Sequence, residues 1–253
     1  MTVDAPRTES PGRAGVVTEV VPRTLESAEI GADGTDAWMS LRYGLPTDDF
    51  VRLNLITTIT GATAGADGTS ETITSRTDRY VLGGIRRNAD VVVVGAQTVR
   101  AEGYLLPKTA RLAIVTSSGD LGDGRLSAEG RDDRPPAIVL CPVSRVDVVR
   151  DGIRDAPAEV WGVAAESDQL TPRAIVDALR GRGLRRIVCE GGPALATQFV
   201  EAGVVDEICV TVSPVLEATG HPFIGPAARI ESSVAGMLVD DAGFSYLRLR
   251  PSR

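Results

Sequence analysis

Four valines in a row, closed by a glycine, stand at positions 91–95. An extended run with no polar alternate has no face to offer water. It must be covered on both sides, as strands of a parallel sheet are when helices pack above and below. The segments "RLAIV" (111–115), "PPAIVLC" (135–141) and "RRIVCE" (185–190) make the same demand, and "AEVWGV" (158–163) makes it over a shorter span. "VRLNLITTIT" (51–60) alternates and is rich in β-branched residues, so it too is a strand.

Helical patterns lie between these strands. In "TSRTDRYVLGGIRRNAD" (74–90), Ser75 with Asp78 three residues on resembles a capping box with aspartate at the third helical position, and Val81, Leu82 and Ile85 form one face. Gly83 and Gly84 each cost such a helix about 1 kcal/mol relative to alanine, so a close neighbour is expected there. "TPRAIVDALRGRG" (171–183) has a threonine cap, a first-turn proline and a glycine stop, and "PALATQFVEAG" (193–203) runs from Pro193 to Gly203. The late strands "VDEICVTVSPVL" and "FSYLRLR" have no helix between them, so the sheet should finish antiparallel. The expected fold is a three-layer α/β/α sandwich with a mostly parallel central sheet and antiparallel C-terminal strands. Residues 1–49 read as an N-terminal arm whose first 15 residues are disordered, residues 50–253 as the domain, and 117–135 as a long surface loop.

Composition excludes several functions. The chain of 253 residues carries a net charge of −7, which argues against nucleic acid as a partner. No run approaches the ~18 apolar residues of a membrane span, and the N-terminus has no signal-peptide core, so the expected location is cytoplasmic with no membrane partner. Cys141, Cys189 and Cys209 each sit in an apolar run without CxxC spacing, and His221 is the single histidine, expected at the surface. No metal site, nucleophile elbow, P-loop or GxGxxG fingerprint is present. The sequence therefore offers no catalytic residue.

What it offers is four strand ends made of glycine and hydroxyl residues: "GATAGADGTS" (61–70), "GAQTVRAEG" (95–103), "TSSG" (116–119) and "EGGP" (190–193). Ligands of parallel sheets sit beyond such ends. Backbone N–H groups there, and the positive end of the helix after Gly192, suit phosphates. Together the four ends point to a nucleotide, and hydride transfer fits a chain without its own catalyst because the cofactor supplies the chemistry.

The order of these motifs, from "LNLITTITGATAGADGTSETITS" through "ADVVVVGAQTVRAE" and "LAIVTSSG" to "IVCEGGPALATQFVEAGVVDEICVTVSPVL", resembles the pyrimidine reductase domain of the riboflavin-biosynthesis pathway, over residues 51–250. The resemblance implies a dihydrofolate reductase-like fold, NADPH as cofactor, a homodimer and a phosphorylated, pyrimidine-like small molecule as substrate. It implies that Gly191-Gly192 hugs the cofactor through a cis peptide, with Pro193, Ala194, Leu195, Ala196, Thr197 and Gln198 along the pyrophosphate. Ile56, Thr72, Gly95, Thr98, Glu102 and Ser117 fall at cofactor positions, Ser117 beside Ser118 toward the adenosine 2′-phosphate. Ser70, Arg86, Leu106 and Glu190 fall at substrate positions, with Arg86 on the phosphate and Glu190 accepting from sugar hydroxyls. The plainer expectation for Glu190 is an ion pair with Arg185 or Arg186, and for Arg86 a solvated cation at a helix end. The late strand "EICVTVSPVL" is a candidate dimer interface.

Three positions depart from the family pattern: Asn54 replaces a lysine, Thr60 an aspartate and Thr109 an arginine. The HxE…PCxxC pattern of the associated zinc deaminase is absent, so the sequence reads as a stand-alone reductase. Reduction of a dihydropterin or other C=N compound, and a non-catalytic nucleotide-binding role, are the competing readings.

Overall fold

The computed structural model describes residues 15–102, 107–122, 135–153, 158–165, 167–217, 222–225 and 229–252. The expected disordered N-terminus (all but its last residue), Leu106, His221 and most of the expected 117–135 loop lie outside them. In chain order the strands are β1 (Val16–Val21), β2 (Ser27–Glu29), β3 (Phe50–Thr58), β4 (Val91–Gly95), β5 (Arg111–Val115), β6 (Ala137–Pro142), β7 (Ala158–Val163), β8 (Arg186–Gly191), β9 (Glu207–Ser213), β10 (Ser232–Asp240) and β11 (Ser245–Pro251). The helices are α1 (Thr35–Tyr43), α2 (Arg76–Arg87), α3 (Ala96–Glu102), α4 (Val146–Ile153), α5 (Pro172–Arg180) and α6 (Pro193–Glu201).

All strands join one sheet in the order β2-β1-β10-β11-β9-β3-β8-β4-β5-β6-β7. From β9 to β7 every pairing is parallel, and from β9 to β2 every pairing is antiparallel. The valine run behaves as its composition demands. Val92 and Val94 enter one core with α1, α2 and α3, whereas Val91 and Val93 enter the other with α5 and α6, and all four are fully buried. The architecture is thus the expected sandwich, a mainly parallel sheet finished by antiparallel strands.

Several local expectations are corrected. β10 had no sequence reading, because "SSVAGMLVD" mixes small, polar and apolar residues; it is a full strand between β1 and β11. The described part of the N-terminal arm extends the sheet, with β1 pairing β10 and β2 pairing β1. α3 was read only as part of a strand end, and α4 had no sequence reading. α3 is short, and α4 buries only Val149. The glycines of α2 have no tight neighbour, since a Cβ on Gly84 would meet only the flexible Arg87 terminus at 3.6 Å and Met39 at 3.9 Å. The cap of α2 is half as expected: Ser75 Oγ accepts from Asp78 N at 3.0 Å, but the Asp78 carboxylate accepts from Thr74 Oγ1 at 2.6 Å.

β3 also departs from simple alternation, because it lies between β8 and β9 and is covered on both faces. Arg52, only 1% exposed, is held by its register partner Glu207 on β9. Its Nε donates to Glu207 Oε1 at 2.9 Å and its Nη1 to the Tyr43 carbonyl at 2.8 Å. A buried charge left alone is far more costly than a buried pair. Glu207→Ala is therefore expected to lower unfolding free energy by about 3–5 kcal/mol in chemical denaturation. A loss below about 1 kcal/mol, typical of exposed pairs, would show that the pair does not hold this end of the sheet.

Candidate functional site

The C-terminal ends of β3, β4, β5 and β8 open on one cleft of about 1350 Å³. Its centre is built by β8. On one side β8 pairs with β4, where Val93 meets Cys189 and Val94 meets Gly191, so Glu190 falls between rungs. A bulge of this kind turns a side chain out of the ladder. Glu190 lines the cleft there, with its side chain only 7% exposed.

The chain then needs two glycines. Gly191 has φ +81°, and a Cβ there would lie 3.0 Å from Leu55 Cδ2. A Cβ on Gly192 would lie 3.0 Å from Thr98 Oγ1, the atom to which Gly192 N donates at 2.8 Å. The Gly191–Gly192 peptide is cis. Gly192 caps α6 with no side chain, and Pro193 opens it. The backbone of Ala194 and Leu195 thus begins a helix whose first-turn donors have no side-chain cap, and both residues line the cleft. That is the arrangement that holds an anion.

Arg86, near the end of α2, reaches across to Glu190. Its Nε donates to Oε1 at 2.7 Å and its Nη2 to Oε2 at 2.6 Å, a two-pronged pair in which the arginine side chain is 22% exposed. The sequence reading placed each residue on the substrate, yet they first engage each other. The alternative partners of Glu190 are also corrected. Arg185 pairs with Asp49 and Arg186 with Asp90, at the opposite ends of the strands.

The remaining candidates divide. Ser70, Ile56, Gly95, Thr98, Ser117, Gly192, Pro193, Ala194, Leu195 and Gln198 line the cleft. Gly191 is buried behind it. Six consecutive helical residues, Pro193 to Gln198, cannot share one groove, because successive side chains rotate about the axis. Accordingly Ala196 is fully buried in the core, and the Thr197 hydroxyl accepts from Gly225 N at 2.9 Å. Thr72 is exposed and donates to Asp67 Oδ1 at 3.2 Å, away from the cleft lining. Glu102 ends α3, and its side chain, like Leu106, is outside the described residues. Of the departures, Asn54 and Thr109 line the cleft, whereas Thr60 hydrogen-bonds the backbone of Glu217. No acidic, cysteine or histidine cluster suited to a metal occurs among the described residues.

Asp78 is a cleft residue that the sequence reading placed only in a helix cap. Asp78, Leu82 and Arg86 are spaced i, i+4, i+8 on α2 and all line the cleft. Leu82, expected in the core, is half-buried on that face while Val81 and Ile85 carry the core. Counting back by fours from Arg86 would have found Asp78. The residue is 8% exposed. Burial raises its pKa above the usual aspartate value, opposed by hydrogen bonds from Thr74 and Thr211 and by the charge of Arg79.

A crystal structure of a pyrimidine reductase-like protein from Corynebacterium diphtheriae matches with a TM-score of 0.71 at 24% identity, over 85% of this chain and 98% of that one. The riboflavin biosynthesis reductase Rib7 of Saccharomyces cerevisiae matches at 0.66 with 13% identity, over 87% and 100%. These likenesses define the fold class. In sequence, the riboflavin biosynthesis protein RibD of Mycobacterium tuberculosis is 31% identical over 208 residues, covering 81% of this chain and 50% of that protein. A 2,5-diamino-6-ribosylamino-4(3H)-pyrimidinone 5′-phosphate reductase of Methanothermobacter thermautotrophicus is 27% identical over 183 residues, 66% of this chain and 78% of that one. The chain spans about half the length of these RibD relatives. A model of the RibD C-terminal domain family matches residues 49–226, and the chain belongs to that family.

A pH prediction follows from Asp78. A carboxyl whose folded pKa is raised binds a proton in the folded state that the unfolded state has already released. Stability is then lost as pH rises from the unfolded aspartate value through the raised folded one, and stays reduced above it. Asp78→Asn should raise the melting temperature at pH 7 and leave it nearly unchanged below pH 3.5. An equal shift at both pH values would contradict the assignment.

Proposed function

We propose that the chain reduces a ribosylamino-pyrimidine phosphate, or a close relative, with hydride from NADPH. The observation that carries this reading is the contiguity of three parts in one cleft: the uncapped start of α6, the glycine pair fastened by Thr98, and the Arg86–Glu190 pair. Bound there, the cofactor would supply a hydride to the C1′ carbon of the opened sugar, and solvent would supply the proton to nitrogen.

The protein's part is placement. The first turn of α6 would hold the pyrophosphate. Ile56 and Gly95 would flank the ring end, where Gly95 has no Cβ to hold back a flat ligand, and Ser117 the adenosine end. Arg86 would share itself between Glu190 and the substrate phosphate, while Glu190 keeps an oxygen lone pair for a sugar hydroxyl. Asn54 and Thr109 make the cleft less charged than the family pattern. That favours, as a second reading, a related C=N substrate lacking one charged group. The reductase activity named for the Methanothermobacter relative supports the first reading.

A homodimer is part of the proposal. β9 pairs on both edges, so it could meet a second copy only through a face of the sheet, not by edge pairing. The better candidate is the sheet face bearing Val20, Met237, Val239 and Leu247, each partly exposed and outside the described core clusters. Light scattering is expected to give a dimer that Leu247→Asp converts to a monomer. A wild-type monomer, or a dimer that survives the aspartate, would contradict this.

Turnover is tested by loss of reduced-nicotinamide absorbance with the ribosylamino-pyrimidine phosphate, then with a panel of pterins. Cofactor binding is measured by calorimetry, since neither tryptophan lines the cleft. Binding without turnover on any of these would leave the non-catalytic reading. Arg86→Ala strands Glu190, so it is paired with Arg86→Ala/Glu190→Gln. Both should raise KM for a phosphorylated substrate about tenfold or more, with NADPH affinity unchanged. An unaltered KM would remove Arg86 from the substrate site.

A further inference from the structure

We propose that Arg100 recognises the phosphate on the adenosine ribose and so makes the chain prefer a 2′-phosphorylated dinucleotide. The inference rests on the dinucleotide reading above and decides a point that the sequence leaves open. Along the chain the neighbours of Ser117 are Thr116 and Ser118, all neutral. In space the neighbour is cationic. Because β4 and β5 pair in parallel, with Gly95 opposite Val115, the helix that follows β4 lies beside the loop that follows β5. Arg100 comes from that helix, α3, and lines the same cleft as Ser117 and Ser118.

The loop is folded around the arginine. Arg100 Nη1 donates to the Asp120 carbonyl at 2.7 Å. A Cβ on Gly122, whose φ is +74°, would lie 2.9 Å from Arg100 Cγ. Thr116 Oγ1 accepts from Gly119 N at 3.0 Å, and Ser118 Oγ accepts from Asp120 N at 3.2 Å, so the turn is internally tied. Ser117 lines the cleft from this turn. One donated bond to a carbonyl anchors the guanidinium and leaves most of its five-donor fork for an anion.

Asp120 is the counter-argument, because a carboxylate beside the ribose commonly accepts the 2′-hydroxyl and repels a phosphate. Here its Oδ1 accepts from Gly122 N at 2.8 Å, and its Oδ2 is 3.7 Å from Arg100 Nη1, beyond hydrogen-bond length. One carboxylate oxygen is tied to its own turn, and the other only loosely holds the cation. The other described cleft arginines belong to α2 and are matched elsewhere: Arg79 to Glu71, Arg86 to Glu190 and Arg87 to Asp36.

The test is titration calorimetry of the whole chain with NADPH and NADH, for the wild type, Arg100→Gln and Arg100→Lys. The wild type should bind NADPH about tenfold or more tightly than NADH, as a charge-assisted contact implies. Arg100→Gln should bring the two within about threefold by weakening NADPH alone, and Arg100→Lys should keep most of the preference. Added salt should weaken NADPH more than NADH in the wild type and equally in Arg100→Gln. An unchanged melting curve for Arg100→Gln guards against misfolding. Equal wild-type affinities, or a preference that survives Arg100→Gln, would overturn the inference while leaving the dinucleotide reading intact. Failure of both dinucleotides to bind the wild type would remove the reading and the inference together.

Discussion

A strand in the middle of a sheet must satisfy its backbone on both edges, and β8 does so between β3 and β4 until one residue too many arrives. That surplus residue is Glu190. Because Val94 pairs with Gly191, the ladder keeps its hydrogen bonds only by expelling Glu190 from register. The consequences spread from there. The expelled carboxylate is taken up by Arg86, which fixes the end of α2 over the strand tips. The chain recovers its course through Gly191 at φ +81° and through Gly192, whose N–H is tied to Thr98. α6 then starts with its donors uncapped toward the cleft.

Charge is distributed in two ways that differ in accessibility. Arg52 and Glu207 face each other across the central sheet, almost wholly buried, and serve its cohesion. Arg86 and Glu190 have similar geometry, but the arginine is partly open and both line the cleft. A pair of this second kind can exchange a partner for a ligand with modest desolvation, whereas the first cannot. Chemically identical pairs therefore play different parts according to which side of the strand tips they occupy.

Much of this order was legible in the sequence, for a physical reason. Continuous runs such as 91–94 leave no choice but burial on both faces, and caps such as Ser75 and Thr171 mark helix starts by their own hydrogen bonds. The glycine pair, Glu190, Arg86 and most strand-end residues were found from motif order and the resemblance it carried. Several of the failures share one cause, which is that linear neighbours were taken for spatial ones. Ala196 and Thr197 were grouped with Gly192 although the helix turns them away, and Glu190 was matched with Arg185 and Arg186 although parallel pairing carries those to Asp49 and Asp90. Asp78 was missed because the helical spacing back from Arg86 was not followed, and Arg100 because only the fold sets α3 beside the loop after β5. β10 was missed because its faces have no clear contrast: one looks toward Tyr246 and the core, and the other carries Met237 and Val239 half-exposed.

The most direct measurement is a crystal structure of the chain with NADPH. The account predicts density for an extended dinucleotide with its pyrophosphate within hydrogen-bond reach of the Ala194 and Leu195 N–H groups and its path over Gly95 and Gly192. Full occupancy of the cofactor anywhere else, or an ordered strand-end cleft that stays empty at saturating NADPH, would contradict it.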